Sequence, residues 1–174
     1  GITFSGGEPT VQAEALVPLF KMLREQHIHI CVDSNGAIWN KHVEELWGLT
    51  DLVMLDIKEF NAERHQHITG RSNEQPLRTA RWFEDNNHLF WLRYVLVPGV
   101  SDFEEDLHAL GQHFKDYVWL EKVQLLPYHT LGVHKYEALG WDYQLKDVSE
   151  NTPEQKKRAE EILRSYFGQK LEVH

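Results

Sequence analysis

Cysteine is almost absent from this sequence. Cys31 is its one cysteine in 174 residues, which excludes a disulfide framework within the chain and any cluster or metal site built from several of its own thiolates. Long apolar runs are absent too, and no signal peptide is legible, so no membrane partner is expected. Positive charge is in deficit. Eighteen Lys and Arg face 27 Asp and Glu, a formal net charge of −9, which argues against a general nucleic-acid partner. There is no repeat, low-complexity tract or linker, and no HExxH motif. The pairs His27/His29 and His65/His67 have no third ligand near them in sequence, so a histidine-bound metal is not expected.

What remains is the composition of one globular domain spanning 1–174, 41% hydrophobic and 26% charged. Hydrophobic periods alternate between strand and helix. Residues 2–4 read as a short strand. After Pro9, Leu16, Leu19, Phe20 and Leu23 form a helical stripe. Strands are predicted at 27–32, 52–57, 89–97 and 118–126, with helices at 41–47 and 73–86 between them. Ser101-Asp102-Phe103-Glu104 reads as a capping box that opens a helix along Phe103, Leu107, Leu110 and Phe114. Residues 132–151 read as a long loop. Thr152-Pro153-Glu154-Gln155 caps a last helix, stopped by Gly168. Alternating strands and helices with near-continuous apolar strands predict a parallel α/β fold.

The polar residues gather at strand ends. The first strand runs into Ser5-Gly6-Gly7-Glu8 and the second into Asp33-Ser34-Asn35-Gly36. The third carries Asp56 and Lys58, the fourth Arg93, and the fifth leads to His129. Parallel α/β folds bind ligands at the carboxyl ends of their strands, so five strands delivering polar groups to that edge predict one site. Each group also has a plain structural reading. Asp33-Ser34-Asn35-Gly36 is a good turn or cap. Asp56 and Lys58 can be a structural ion pair. Arg93 can be neutralised by a neighbouring carboxylate. Met54 and Cys31 read as core.

The segments SGGEPT, CVDSNG, DLVMLDIK, LRYVLVPGVSD and LLPYHTLGVHKYEALG occur in this order. Together they closely resemble the activating enzymes of glycyl-radical enzymes, a family of radical S-adenosylmethionine (SAM) proteins, and among these the pyruvate formate-lyase activators. The resemblance runs from Gly1 to the last helix. It implies a partial (β/α) barrel of the radical SAM type with parallel strands, truncated here at the N-terminus. The family's first strand and its CxxxCxxC cluster loop lie upstream of the GGE strand. It implies SAM at the barrel mouth, with Gly6 and Gly7 offering backbone groups to the ammonium and Glu8 shaping their turn. Lys58 would bind the SAM carboxylate and ribose, Arg93 would sit near the carboxylate and the incoming peptide, His129 would hold the ribose hydroxyls, and Val95 and Leu126 would lie near the adenine. Asp33, Ser34, Met54 and Asp56 fall on the ligand positions of a monovalent cation beside SAM, Met54 through its backbone carbonyl.

The implied chemistry is one-electron reduction of SAM by a 4Fe-4S cluster, giving a 5′-deoxyadenosyl radical that takes a hydrogen atom from a glycine of the partner. The implied partners are a glycyl-radical enzyme, pyruvate formate-lyase first, and a reductant of flavodoxin or ferredoxin type. The implied location is the cytoplasm. With one cysteine, these 174 residues alone are expected to be inactive, and without the neighbouring strand, residues 2–5 should form an exposed edge that invites self-association. Two other functions fit the strand-end residues taken alone. One is a hydrolase or aldolase using Lys58, Asp56 and His129, and the other is a non-catalytic module that docks a partner.

Overall fold

The computed structural model describes the backbone of residues 1–174 and the side chains of all but residue 137. Six parallel strands form one sheet in chain order. They are β1 (Ile2–Phe4), β2 (Ile30–Ser34), β3 (Leu52–Asp56), β4 (Phe90–Leu96), β5 (Leu120–Pro127) and β6 (Leu171–Val173). The crossovers carry α1 (Ala13–Glu25), α2 (Lys41–Leu49), α3 (Ala62–Thr69) with α4 (Glu74–Asp85), α5 (Glu104–Phe114), and α6 (Val133–Leu139) with α7 (Pro153–Phe167). Sequential parallel strands joined with the usual right-handed crossover put the helices on one face. A twisted sheet of this order curls away from them as a partial barrel.

Burial along the strands separates the two faces. In β4, Phe90, Leu92, Tyr94 and Leu96 are fully buried under the helices, while Trp91, Arg93 and Val95 are half-buried on the other, open face. In β5 the buried set is Leu120, Val123 and Leu125, and Lys122, Gln124 and Leu126 alternate with it. Register then builds rows across the open face. Met54 lies between Asp33 and Trp91, Arg93 between Asp56 and Gln124, and Val95 beside Leu126. On the covered face Trp47 packs on Phe83 at 5.4 Å between ring centroids, and Phe83 on Phe90 at 5.5 Å. β1 and β6 are the edges of the sheet.

Several predicted elements shift for identifiable reasons. β2 starts at Ile30 because His27, at φ 54°, makes a left-handed turn after α1. In α1 the buried stripe is Ala13, Val17 and Phe20, with Leu16 and Leu23 at its margin, and Leu19 is 40% exposed. The polar segment 62–69 forms α3, capped by the Asn61 side chain, which accepts from the backbone N–H groups of Glu63 and Arg64. As a consequence His65 and His67 do not share an extended face. His65 is buried, with Nδ1 against the Arg71 carbonyl at 2.8 Å. The Ser101 capping box does not form. Ser101 is buried, donates to the Val95 carbonyl and accepts from the Val97 N–H, closing the turn after β4. α5 begins two residues later, with Phe103 at its cap and no side-chain cap bond. The loop at 132–151 contains α6, and after Gly168 a three-residue strand, β6, joins β5. Both are too short to carry a readable period. The Thr152–Gln155 capping box forms as predicted.

The last helix also depends on one small residue. α5 and α7 pack together where Gly111 faces Tyr166, and a methyl group at Gly111 would overlap the Tyr166 ring. Gly111→Ala is expected to destabilise the domain by about 2 kcal/mol, the usual scale of overpacking. Urea unfolding checks this. An unchanged midpoint would mean that the Tyr166 ring swings away freely.

Candidate active site

The carboxyl ends of β1–β4 meet in a chain of alternating charge. The Ser5 hydroxyl donates to Asp33 Oδ2 at 3.1 Å, and Arg93 Nη1 reaches the same oxygen at 2.8 Å. Arg93 Nε lies 3.2 Å from Asp56 Oδ1, and Lys58 Nζ donates to Asp56 Oδ2 at 2.7 Å. Strand alternation produces this line. Asp33, Asp56 and Arg93 occupy open-face positions of three adjacent strands, and Lys58 follows Asp56 by two residues on the same face. Arg93 and Asp33 are each 21% exposed and Asp56 11% at the side chain, so these charges are only partly solvated. Partial burial strengthens the attraction and raises the cost of losing a partner. Asp56 Oδ1 is buried, and its contact with Arg93 Nε is off the axis a hydrogen bond needs, so it keeps an ion-pair contact with its hydrogen-bonding capacity unspent.

The glycine loop is tied to this line from behind. Gly6 and Gly7 take φ of 92° and 53°, a region closed to most side chains, and a Cβ on either would meet nothing within 4 Å. The loop bends its backbone toward open space. The Glu8 carboxylate holds the bend. Its Oε1 accepts from the Thr10 N–H and hydroxyl and from the Ser34 hydroxyl at 2.8 Å, and its Oε2 accepts from the Asn35 N–H at 2.8 Å. Ser34 is therefore turned to the covered side. Its hydroxyl is shared between Glu8 and the Gly36 N–H, leaving only its carbonyl for anything at the cleft.

Further residues line the same edge. A cleft of about 920 Å³ opens beside Lys58 and Val95, walled by Val97, Phe103 and Tyr136, with Arg64 at its side. Leu126 is half-buried next to Val95. His129 follows β5 at this edge, exposed and outside the chain of charge contacts. Met54 is half-buried on the open face between Asp33 and Trp91, so its side chain is a wall residue there and not core. Cys31 is buried in β2, and burial pushes its thiol above the ordinary value, with the Asp33 carboxylate adding in the same direction. It is poorly suited to act as a thiolate ligand. Among the described residues, no three His, Cys, Asp or Glu side chains converge as a metal site.

Ser5, Thr10 and Asn35 belong to the site or its support without having stood out individually. The apolar string FWLRYVL hides the alternation that puts Trp91, Arg93 and Val95 on one face. Thr10 and Asn35 act only through the Glu8 carboxylate, two residues from Thr10 but 27 from Asn35.

The family model described as the Radical SAM superfamily matches residues 1–110. The chain is 42% identical over 168 residues to the pyruvate formate-lyase 1-activating enzyme of Escherichia coli, covering 95% of this chain and 68% of that one. It is also 42% identical over 165 residues to the pyruvate formate-lyase-activating enzyme of Staphylococcus epidermidis, covering 91% and 66%. A crystal structure of a domain of pyruvate-formate lyase-activating enzyme from Bacteroides vulgatus has the same fold, with a TM-score of 0.81 at 24% identity over 100% of this chain and 98% of that one. A parallel partial barrel whose glycine loop meets a line of strand-end charges, with this degree of identity along nearly the whole chain, shows that the chain belongs to the radical SAM superfamily and, within it, to the family of the pyruvate formate-lyase activating enzymes.

Proposed function

We propose that these residues form the SAM-binding core of an enzyme that installs a glycyl radical on pyruvate formate-lyase. The observation that carries the reading is the line Ser5–Asp33–Arg93–Asp56–Lys58 at the mouth of the half-barrel, running beside the open Gly6-Gly7 backbone. SAM brings an ammonium, a carboxylate and ribose hydroxyls on one small frame, and this edge offers complementary groups for each. Gly6 and Gly7 present backbone groups to the ammonium. Lys58 and Arg93 face the carboxylate. His129 takes the ribose hydroxyls, and Val95 and Leu126 flank the adenine. Asp33 and Asp56, with the carbonyls of Ser34 and Met54, supply the oxygen donors a monovalent cation prefers, and the unspent Asp56 Oδ1 supports that role.

The cluster does not fit these residues, because Cys31 is their only cysteine and is buried. Cysteine ligands for a cluster would have to come from residues other than these. A bound cluster and SAM would together supply the one-electron chemistry for taking a hydrogen atom from a partner glycine. The chain's own part is to orient SAM and to line the cleft that the glycine segment enters. A reductant of flavodoxin or ferredoxin type serves it in the cytoplasm. A hydrolase or aldolase is not supported by these relatives, and among the described residues no hydrogen bond or ion pair joins His129 to Lys58 or Asp56.

The test uses the full-length protein, reconstituted with iron and sulfide without oxygen and mixed with SAM, a reductant and pyruvate formate-lyase. A SAM-dependent organic radical on the partner, read by electron paramagnetic resonance, is expected. A cluster-loaded protein that binds no SAM would overturn the reading. So would a stoichiometric four-iron cluster on these 174 residues alone.

A further inference from the structure

Lys58 is followed by a carboxyl group that points the other way. Asp56 and Lys58 face the cleft, while Ile57 and Glu59 are both fully buried on the helix side. The Ile57 N–H still donates to the Arg93 carbonyl at 3.0 Å, so strand pairing reaches the residue before Lys58. Beyond it, Glu59 Oε1 accepts from the Asn61 N–H at 2.9 Å, and the Tyr94 hydroxyl of β4 lies 3.3 Å from Glu59 Oε2. The turn has a second anchor where Asn73 Nδ2 donates to the Phe60 carbonyl at 2.6 Å.

The charges around this niche do not neutralise Glu59. From α3, Arg64 is engaged by Asp106 of α5, which is 4% exposed, and by Glu105 at 3.5 Å, and it stacks on Phe103 at 4.2 Å. The niche thus holds two buried acids and one guanidinium already taken by the other acid. Burial pushes the Glu59 carboxyl above the ordinary carboxylate range, and Asp106 adds to that push. Tyr94 is driven up by burial and then by Glu59.

We propose that Glu59 is a positioning residue, whose buried carboxyl group, held by the Asn61 N–H and the Tyr94 hydroxyl, locks the β3–α3 turn behind the sheet and so holds Lys58 at the cleft. The inference rests on the reading of Lys58 as a SAM contact. A raised carboxyl means that the folded state keeps a proton the unfolded chain releases, so this group lowers stability as pH rises from the ordinary carboxyl value toward its folded value. Glu59→Gln keeps an acceptor for Asn61 and a partner for Tyr94 without any proton to lose.

The experiment combines SAM titration by calorimetry with thermal melts for Glu59→Gln, Glu59→Ala, Lys58→Met and the Glu59→Ala/Lys58→Met pair. Glu59→Ala and Lys58→Met should each weaken SAM binding about tenfold, the scale of one charge-assisted contact, and the pair should be no worse than either alone. Glu59→Gln should bind as the parent does and gain thermal stability over the parent progressively as pH rises above the ordinary carboxyl value. Parental affinity in a folded Glu59→Ala protein, multiplying effects in the pair, or identical pH profiles for Glu59→Gln and parent would each overturn the anchor. Parental affinity in Lys58→Met would instead overturn the reading of Lys58. If Glu59→Ala does not fold, the Glu59→Gln profile decides.

Discussion

Arg93→Met should weaken SAM binding by about 100-fold or more and cost about 2–3 kcal/mol of folding stability, on the scale of breaking a partly buried ion cluster. Arg93 is the one cation between Asp33 and Asp56, at 2.8 and 3.2 Å. Methionine fills the same space without the charge. It leaves the Asp33 and Asp56 carboxylates, both largely buried, facing each other on adjacent strands β2 and β3, and it removes a donor from the expected position of the SAM carboxylate. Arg93→Lys should recover part of the stability and little of the binding, because one ammonium cannot serve both carboxylates in the fork geometry of a guanidinium. Asp33→Asn added to Arg93→Met should restore stability without restoring binding, which separates the two losses. Urea unfolding and SAM calorimetry measure them. An Arg93→Met protein with parental stability and affinity would show that the charge line is ornamental.

Glu8→Ala has the second largest expected effect. Four donors from Thr10, Ser34 and Asn35 converge on one carboxylate, and truncation leaves them without their partner in half-buried surroundings. A cost of about 2–3 kcal/mol follows from the desolvation of such donors, which for a chain of this size lowers the melting midpoint by about 5–10 °C. The loss of SAM affinity should exceed that of a distant mutation of equal cost, because Glu8 joins the Gly6-Gly7 loop to the loop after β2. Glu8→Gln should fall between, since its amide keeps one acceptor but turns a donor toward the Asn35 N–H or the Ser34–Thr10 hydroxyl pair. A Glu8→Ala protein that melts with the parent would refute the clamp.

Much of the site was legible because strand ends are local features. The glycines at 6 and 7, Asp33, Asp56, Lys58 and Arg93 were all singled out by where a hydrophobic run meets a polar residue, and the structure brings Asp33, Asp56, Lys58 and Arg93 into one line beside the glycine loop. His129 reaches the same edge but not that line. The Ser34 side chain turns from the cleft because Glu8, 26 residues away, claims its hydroxyl. The Ser101 box failed for a similar reason. A serine three residues before a glutamate is a cap signal only when no strand end competes for its hydroxyl.

By itself the sequence determined the alternation of strands and helices, the α/β class and the strand-end location of the polar groups. These follow from apolar periodicity and turn residues, which act over a few positions. It also determined that one cysteine cannot hold a cluster. Only the tertiary structure decided which groups touch. Arg93 meets Asp33 across 60 residues of chain because β3 lies between their strands in register, and Glu59 is sealed behind Tyr94 because α5 and β4 close over it. Such pairings depend on strand order, register and the facing of neighbouring strands. Those are set when the whole sheet buries its covered face at once, and no short window of sequence carries that information.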